Sequence, residues 1–178
     1  MRHMGKSSKE QLAKDDRKIL AELQKNSNES IETIAKHCRF SRQKVWSAIK
    51  QLEESRMIWG YTAIVDEEKQ GLEKFMISIK RSQKILDKKS MDEITYDRLG
   101  KIILNLGITI ESSYYIQGEY DWILIFLAKD LQHAKKFTDI LFSAYPGIVY
   151  KAYLSQIIYI QREHRIENPD QSKLREFL

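Results

Sequence analysis

The chain has 178 residues, a formal net charge of +5 and a hydrophobic content of 42%. This is enough apolar material for one or two packed domains, and 31% charged residues is typical of a soluble protein. The single cysteine, Cys38, excludes an intrachain disulfide. No apolar run is long enough to cross a bilayer, and the N-terminus lacks the apolar core of a secretory signal. These features predict a cytoplasmic protein.

The positive charge is concentrated in the first third of the chain. Residues 1–60 contain 13 lysines and arginines against 8 aspartates and glutamates, whereas the remainder has 17 of each. A basic N-terminal region on a neutral body indicates a polyanionic partner, most simply nucleic acid.

Three helices are predicted in this basic region. The first begins at Asp15 or Asp16, and its apolar positions include Leu12 and Ile19 at helical spacing. Ser30 caps a short second helix, residues 37–40 form a turn, and Ser41 caps the third helix. Helix, short helix, turn and helix follow one another as in a helix-turn-helix domain.

The third helix has two contrasting faces. Apolar residues spaced three and four apart form the face expected in the core: Val45, Ala48, Ile49 and Leu52. The opposite face carries side chains that can contact bases or phosphates: Gln43, Trp46, Ser47 and Lys50. Taken alone, this pattern also describes an ordinary amphipathic surface helix, so the neighbouring elements decide the interpretation.

Strands and helices alternate after this region. Strands are predicted at 60–65, 74–80, 108–117, 120–129 and 148–161, and helices at 91–106 and 131–145. Gly118 is expected to supply a positive φ in a tight hairpin turn. From residue 74 onward the order is βαββαβ, the ferredoxin-like arrangement.

The predicted fold class is therefore α+β. A winged-helix-like helix-turn-helix domain at 15–59 follows a disordered start at 1–14. A hinge strand and linker at 60–73 lead to a ferredoxin-like domain at 74–162, and a polar tail occupies 163–178.

Several local motifs, taken in order, resemble one family of regulators. They are Asp16-Arg17-Lys18-Ile19-Leu20, Leu52-Glu53-Glu54, Gly60-Tyr61-Thr62-Ala63-Ile64-Val65-Asp66, Gly118-Glu119-Tyr120-Asp121 and Tyr145-Pro146-Gly147. The chain from Asp15 to about Arg162 resembles the Lrp/AsnC (feast/famine) transcriptional regulators. It departs from them at Arg56, where the family usually has glycine, and in a longer segment at 82–107.

The resemblance implies a homodimer or larger homo-oligomer that binds double-stranded DNA. Gln43, Ser47 and Lys50 are the candidates for base contacts, and Trp46 for packing on a sugar or a thymine methyl group. Arg39, Arg42 and Lys44 are phosphate candidates, and Ser41 stands at the start of the same helix.

The resemblance also implies an amino-acid effector near Gly118, Tyr120 and Asp121. Aspartate at such a turn also bonds nearby backbone amides without any ligand, so the same residues fit a purely structural turn. No cofactor or metal is predicted, because the four histidines form no ligand-like pattern.

Two other functions are compatible with this two-domain arrangement. An architectural DNA-binding protein of low specificity shares the fold. A sirohaem-decarboxylase-like enzyme is disfavoured, because no arrangement of nucleophile and base is visible in the sequence.

Overall fold

The computed structural model describes residues 14–95, 98–103 and 106–178. The chain forms two compact units. The first runs to Ile64 and includes Arg162–Gln171, and the second consists of Val65–Gln161 with Ser172–Leu178. We call them the head and the body. The predicted disordered start lies outside the described residues except for Lys14.

Three helices form the head: α1 (Lys14–Lys25), α2 (Ile31–Cys38) and α3 (Arg42–Glu54). Each contributes to one small core, whose buried members are Ile19, Ile34, Ala35, Cys38 and Val45. Since α2 is only two turns long, it depends on both neighbours to bury its apolar face. The predicted helix-turn-helix plan is confirmed, except that α2 extends to Cys38 and the turn therefore begins at Arg39.

The strand predicted at 60–65 is wrong for the isolated chain. These residues have no regular secondary structure, and a 3₁₀ helix follows at Glu67–Gln70. A strand needs a neighbour to pair its backbone amides and carbonyls, and no described segment of this chain pairs with 60–65. The side chain of Trp59, immediately before this segment, is 96% exposed.

Among the described residues, the body has four strands and three α-helices. In chain order they are β1 (Glu73–Arg81), α4 (Lys88–Thr95), α5 (Arg98–Ile103), β2 (Thr109–Tyr115), β3 (Trp122–Ala128), α6 (Leu131–Ala144) and β4 (Val149–Ile157). All pairings are antiparallel, and the strand order is β2-β3-β1-β4. This order confirms the predicted ferredoxin-like βαββαβ domain.

One face of the sheet forms the main core. Alternate residues of β1 and β3 point towards α6 and are fully buried: Phe75, Ile77, Ile79, Leu124 and Phe126. Phe137 of α6 packs edge-on against Phe126, with 4.9 Å between ring centroids. This packing fixes β1 and β3 as the central strands and leaves β2 and β4 at the edges.

Two details of the body differ from the predictions. The helical region begins at Lys88 rather than at residue 91, and Leu106 lies in a turn after α5. The hairpin between β2 and β3 is longer than a tight turn, spanning Ile116–Asp121, and it closes through a hydrogen bond from the Ile116 amide to the Asp121 carbonyl. Gly118 does not have a positive φ there, because the longer loop does not require one.

The residues predicted as a polar tail form ordered structure. β5 (Arg162–Glu163) and β6 (Ile166–Glu167) make a short antiparallel hairpin, and a 3₁₀ helix follows at Gln171–Phe177. His164 and Arg165 at the hairpin tip both have positive φ, as in a type I′ turn. This C-terminal hairpin belongs to the head, and the 3₁₀ helix lies largely in the body.

Candidate nucleic-acid interface

Two serines fix the starts of the helices on either side of the turn. The Ser30 hydroxyl accepts from the Thr33 amide at 3.1 Å, and the Ser41 hydroxyl accepts from the Lys44 amide at 3.2 Å. Each cap satisfies a backbone donor that the helix itself leaves free. Ser41 therefore has a capping role in the free head, and its hydroxyl proton remains able to donate to another acceptor.

The turn itself depends on an arginine in a left-handed backbone conformation. Arg39 has φ 58°, and its amide donates to the carbonyls of Ala35 and Lys36. The Phe40 amide also bonds the Ala35 carbonyl, at 2.9 Å. These contacts end α2 and aim the chain into α3, while the Arg39 side chain stays exposed.

The outer face of α3 is exposed as predicted. Gln43, Ser47 and Lys50 are exposed, and so is 53% of Trp46, whereas Val45 and Leu52 on the opposite side are buried. The Lys50 ammonium lies 5.3 Å from the centroid of the Trp46 ring. The side chains of Gln43 and Ser47 have no hydrogen-bond partner within the described part of the chain. This face therefore presents amide, hydroxyl and ammonium groups on a helix whose opposite face is buried.

The cations around α3 have carboxylate neighbours in the free head. Arg42 forms an ion pair with Glu32 of α2, and Lys44 Nζ lies 2.5 Å from Oδ2 of Asp15 on α1. The Lys44 ammonium also lies 4.1 Å from the centroid of the Phe40 ring. Consequently Lys44 links α1 to α3 as well as standing near the start of the candidate DNA-reading helix.

Arg56 lies two residues after the end of α3, at the position where the Lrp/AsnC regulators usually have glycine. It has φ 59°, and the next amide, of Met57, donates to the Leu52 carbonyl at 2.9 Å. Beyond it, the Tyr61 hydroxyl donates to Glu53 Oε1 at 2.9 Å. Burial, followed by this hydrogen bond to a carboxylate, raises the pKa of Tyr61 to about 12, so the phenol remains a donor at neutral pH.

Two of the effector candidates, Asp121 and Tyr120, contact residues of other strands of the sheet. Asp121 Oδ2 accepts from the Arg81 backbone amide at 2.9 Å and lies 3.3 Å from Lys80 Nζ. The hydrogen bond from Arg81 lowers the pKa of the Asp121 carboxyl, with Lys80 adding to the effect. Tyr120 packs edge-on against Tyr153, with 5.7 Å between centroids.

The three candidates lie in the loop that joins β2 to β3, but their roles differ. Gly118 has no atom within 4 Å of an added Cβ, so its place in the loop is open. The Asp121 carboxylate, in contrast, is fixed by β1. Sequence reasoning missed both of its partners, Lys80 and Arg81, because they precede it by about forty residues and only the sheet register brings them together.

Over the described residues, no group of three or more histidine, cysteine, aspartate or glutamate side chains is placed to hold a metal ion. Within the same residues, no helix has both the length and the apolar character needed to cross a membrane.

Sequence comparisons match the head to a known domain. A family described as winged helix-turn-helix DNA-binding matches residues 14–58. The chain is 25% identical over 137 residues to the DNA-binding transcriptional activator DecR of Escherichia coli K12, covering 77% of this chain and 86% of that protein. It is also 25% identical over 126 residues to the transcriptional regulator AzlB of Bacillus subtilis, covering 71% and 76%. Both relatives are named as transcriptional regulators, in agreement with the predicted class of protein.

Solved structures share the fold over most of both chains. A transcriptional regulator–L-Met complex from Neisseria meningitidis, NMB0573, has 20% identity, covers 92% of this chain and 99% of its own, and gives a TM-score of 0.66. An AsnC family regulator from Agrobacterium tumefaciens has 19% identity, 90% and 99% coverage, and a TM-score of 0.66. The leucine response regulatory protein LrpA of Mycobacterium tuberculosis has 21% identity, 89% and 100% coverage, and a TM-score of 0.67. The predicted resemblance and fold class are confirmed.

Proposed function

We propose that this chain, a DNA-binding transcriptional regulator of the Lrp/AsnC type, recognises a specific operator through the outer face of α3. The observation that carries the proposal is the two-sided character of that helix. Val45 and Leu52 are buried against the head, while Gln43 and Ser47 are exposed with their hydrogen-bonding groups unused by the described residues. Amide and hydroxyl groups on a rigid helix are the groups that read base edges in the major groove.

Specific and non-specific contacts are divided between different side chains. Gln43, Ser47 and Lys50 contact base edges, and Trp46 packs on sugar or a thymine methyl group. Arg39, Arg42 and Lys44 surround the start of α3 and neutralise phosphates, with the Ser41 hydroxyl as a further donor. Phosphate contacts set the register of the head on the duplex, whereas base contacts provide the sequence preference.

The body is proposed to join copies of the chain. Its sheet is covered by α6 on one face, and the other face carries partly buried Ile123 and Ile125 beside Tyr114, which is 50% exposed. Apolar side chains on an open sheet face favour burial by a second copy. A symmetric dimer would place two recognition helices on half-sites about 34 Å apart, or a multiple of that spacing.

We also propose that the body senses an amino acid or a related small molecule. L-Met is bound in the neighbouring structure from Neisseria meningitidis. In this chain the loop with Gly118, Tyr120 and Asp121 is the candidate site, with the aspartate accepting from an ammonium group. In this proposal, residues 15–59 bind DNA, residues 60–73 form a hinge, and residues 74–162 sense the effector and assemble the oligomer. The protein acts in the cytoplasm, where the DNA lies.

The test is selection from a pool of randomised duplexes at moderate salt, with and without a mixture of amino acids. Enrichment of a near-palindrome is expected, and a change in its yield on adding amino acids would support the sensing role. Binding without enrichment would instead indicate an architectural protein of low specificity, whose affinity comes mainly from phosphates.

A further inference from the structure

Two of the proposed phosphate contacts are already occupied by carboxylates of the head. Glu32, in the first turn of α2, pairs with Arg42, and Asp15, in the first turn of α1, pairs with Lys44. A carboxylate and a phosphate use the same donors of an arginine or lysine side chain. A donor that bonds the carboxylate is therefore not available to the phosphate at the same time.

We propose that Glu32 and Asp15 are built-in competitors of DNA, which hold Arg42 and Lys44 in the free protein and lower the affinity of the head for every duplex. This inference rests on the proposed function, because it requires that Arg42 and Lys44 contact phosphates. It assigns to two acidic residues a role in setting how tightly the regulator holds DNA.

The Glu32–Arg42 pair is placed so that DNA can displace it. Its side chains are 54% and 71% exposed respectively. Exposed pairs of this kind are weak and exchange readily with other ions. The Glu32 carboxylate takes no part in capping α2, because the cap is the hydrogen bond from the Thr33 amide to the Ser30 hydroxyl. Removing the charge of Glu32 is therefore compatible with a folded head.

The Asp15–Lys44 pair is less exposed than the Glu32–Arg42 pair, its side chains being 41% and 47% exposed. The Lys44 ammonium also lies over the Phe40 ring, and the hydrogen bond from Lys44 is the largest influence that lowers the pKa of the Asp15 carboxyl. Asp15 is therefore charged at neutral pH, where it competes with phosphate for the Lys44 ammonium. Because Asp15 also connects α1 to α3, Glu32 is the cleaner position for a test.

Competition for phosphate contacts has a distinctive consequence. It lowers the affinity for specific and for unrelated duplexes by the same factor, because both present the same phosphates. The base contacts proposed for Gln43 and Ser47 are untouched, so the ratio between the two affinities stays constant. Competition thus sets the absolute affinity, and the base contacts set the preference.

The experiment compares Glu32→Gln with the matched control Glu29→Gln in the full chain. Both changes remove one negative charge. Glu29 lies just before α2, and its described side-chain partner is the side-chain amide of Asn26 rather than a cation, so its removal frees no phosphate contact. Binding to a labelled duplex of random sequence, about three helical turns long, is measured by fluorescence anisotropy at fixed salt. We expect Glu32→Gln to tighten binding about twofold to fivefold, the range for exposed ion pairs, and Glu29→Gln to have a clearly smaller effect. An equal gain in both variants would overturn the proposal.

A double-mutant cycle with Arg42→Gln separates the possible failures. If Glu32 acts by occupying Arg42, the gain from Glu32→Gln disappears in the Arg42→Gln background. A gain that persists there would reduce Glu32 to general repulsion and overturn the proposal. If Arg42→Gln alone weakens binding but Glu32→Gln gives no gain, the competition fails while the DNA interface stands. If Arg42→Gln leaves binding unchanged, Arg42 is not a phosphate contact and both ideas fail at this residue.

Discussion

Arg165 Nη1 donates a hydrogen bond to Gln24 Oε1 at 2.7 Å, although the two residues are 141 positions apart in the chain. The bond attaches the tip of the C-terminal hairpin to the end of α1, within the head. The hairpin has an ion pair of its own, between Arg162 and Glu167 across the two strands. The head thus combines the three N-terminal helices with a hairpin that comes after the body in the chain.

We expect Arg165→Ala to loosen the C-terminal hairpin. The change removes the bond to Gln24 but keeps a side chain in a left-handed conformation, so the local loss is about 0.5–1.5 kcal/mol. Hydrogen exchange of the amides at 162–167 is the measurement, and they should exchange faster. Arg175→Ala, in the 3₁₀ helix at Gln171–Phe177, is the control and should leave these amides unchanged. Unaltered protection in Arg165→Ala would mean that the bond does not hold the hairpin.

Arg56→Gly is expected to stabilise the head. At φ 59° a side chain is strained, and glycine relieves this strain, giving a gain of about 0.5–1 kcal/mol in the free energy of unfolding. Chemical denaturation followed by tryptophan fluorescence would measure it. Arg56→Ala is the matched control, since it removes the charge but keeps Cβ, and it should bring no such gain. Equal stabilisation by both changes would attribute the effect to charge instead of backbone strain.

Periodicity was sufficient to predict the elements whose faces are buried within one unit. The helices of the head and the βαββαβ succession of elements in the body follow from apolar spacing, because each element packs on its own neighbours. Residues 60–65 also have strand-like composition, but composition cannot provide a pairing neighbour. The C-terminal hairpin was missed for a related reason, since His164 and Arg165 are not residues that commonly mark a type I′ turn.

The sequence predicts which side chains of the candidate interface are exposed, but not which residues they contact. Spacing alone placed Gln43 and Ser47 on the outer face of α3. The partners of Arg42 and Lys44 come from α2 and α1, so they appear only when the three helices are packed. Likewise, Asp121 was recognised as a turn residue, but its bond to the Arg81 amide depends on the register between β1 and β3.

Glu111→Gln is expected to destabilise the body. Lys74 is buried on the sheet, with its side chain 5% exposed, and its ammonium lies 2.7 Å from Glu111 Oε2 and 3.8 Å from Glu67 Oε1. Removing the charge of Glu111 leaves the buried Lys74 ammonium poorly compensated. Because Glu67 remains, we expect the free energy of unfolding to fall by only about 2 kcal/mol. Urea denaturation would measure it. The exposed Glu68–Lys173 pair provides the control, and Glu68→Gln should cost less than about 0.5 kcal/mol. Equal effects would show that burial of Lys74 carries no penalty.

Asp121 should give the body an acid-sensitive contribution to stability. Its pKa is lowered in the folded state, chiefly by the Arg81 amide, so the carboxylate stabilises the fold above its ordinary pKa, near pH 4. This contribution is lost as the pH falls through the lowered folded pKa. In Asp121→Asn, stability should be lower at neutral pH and should change less below about pH 4. Asp139→Asn, on the exposed side of α6, is the control for charge. Identical acid profiles for wild type and Asp121→Asn would refute the assignment.

Lys50→Glu is expected to weaken DNA binding while leaving the fold and the assembly intact. Lys50 lies on the exposed face of α3, beside the Trp46 ring and 3.9 Å from Glu54, so its reversal places a carboxylate against the polyanion. We expect a loss of about 2–3 kcal/mol, that of a base or phosphate contact replaced by repulsion. Lys69→Glu, in the 3₁₀ helix of the body, is the matched control because it makes the same change in net charge outside the head. Anisotropy titrations of both variants at several salt concentrations separate the loss of a direct contact from the effect of overall charge. A loss confined to Lys50→Glu, with a shallower salt dependence, places Lys50 at the interface. An equal loss in both variants would instead assign it to the overall charge and remove α3 from the proposed contact surface.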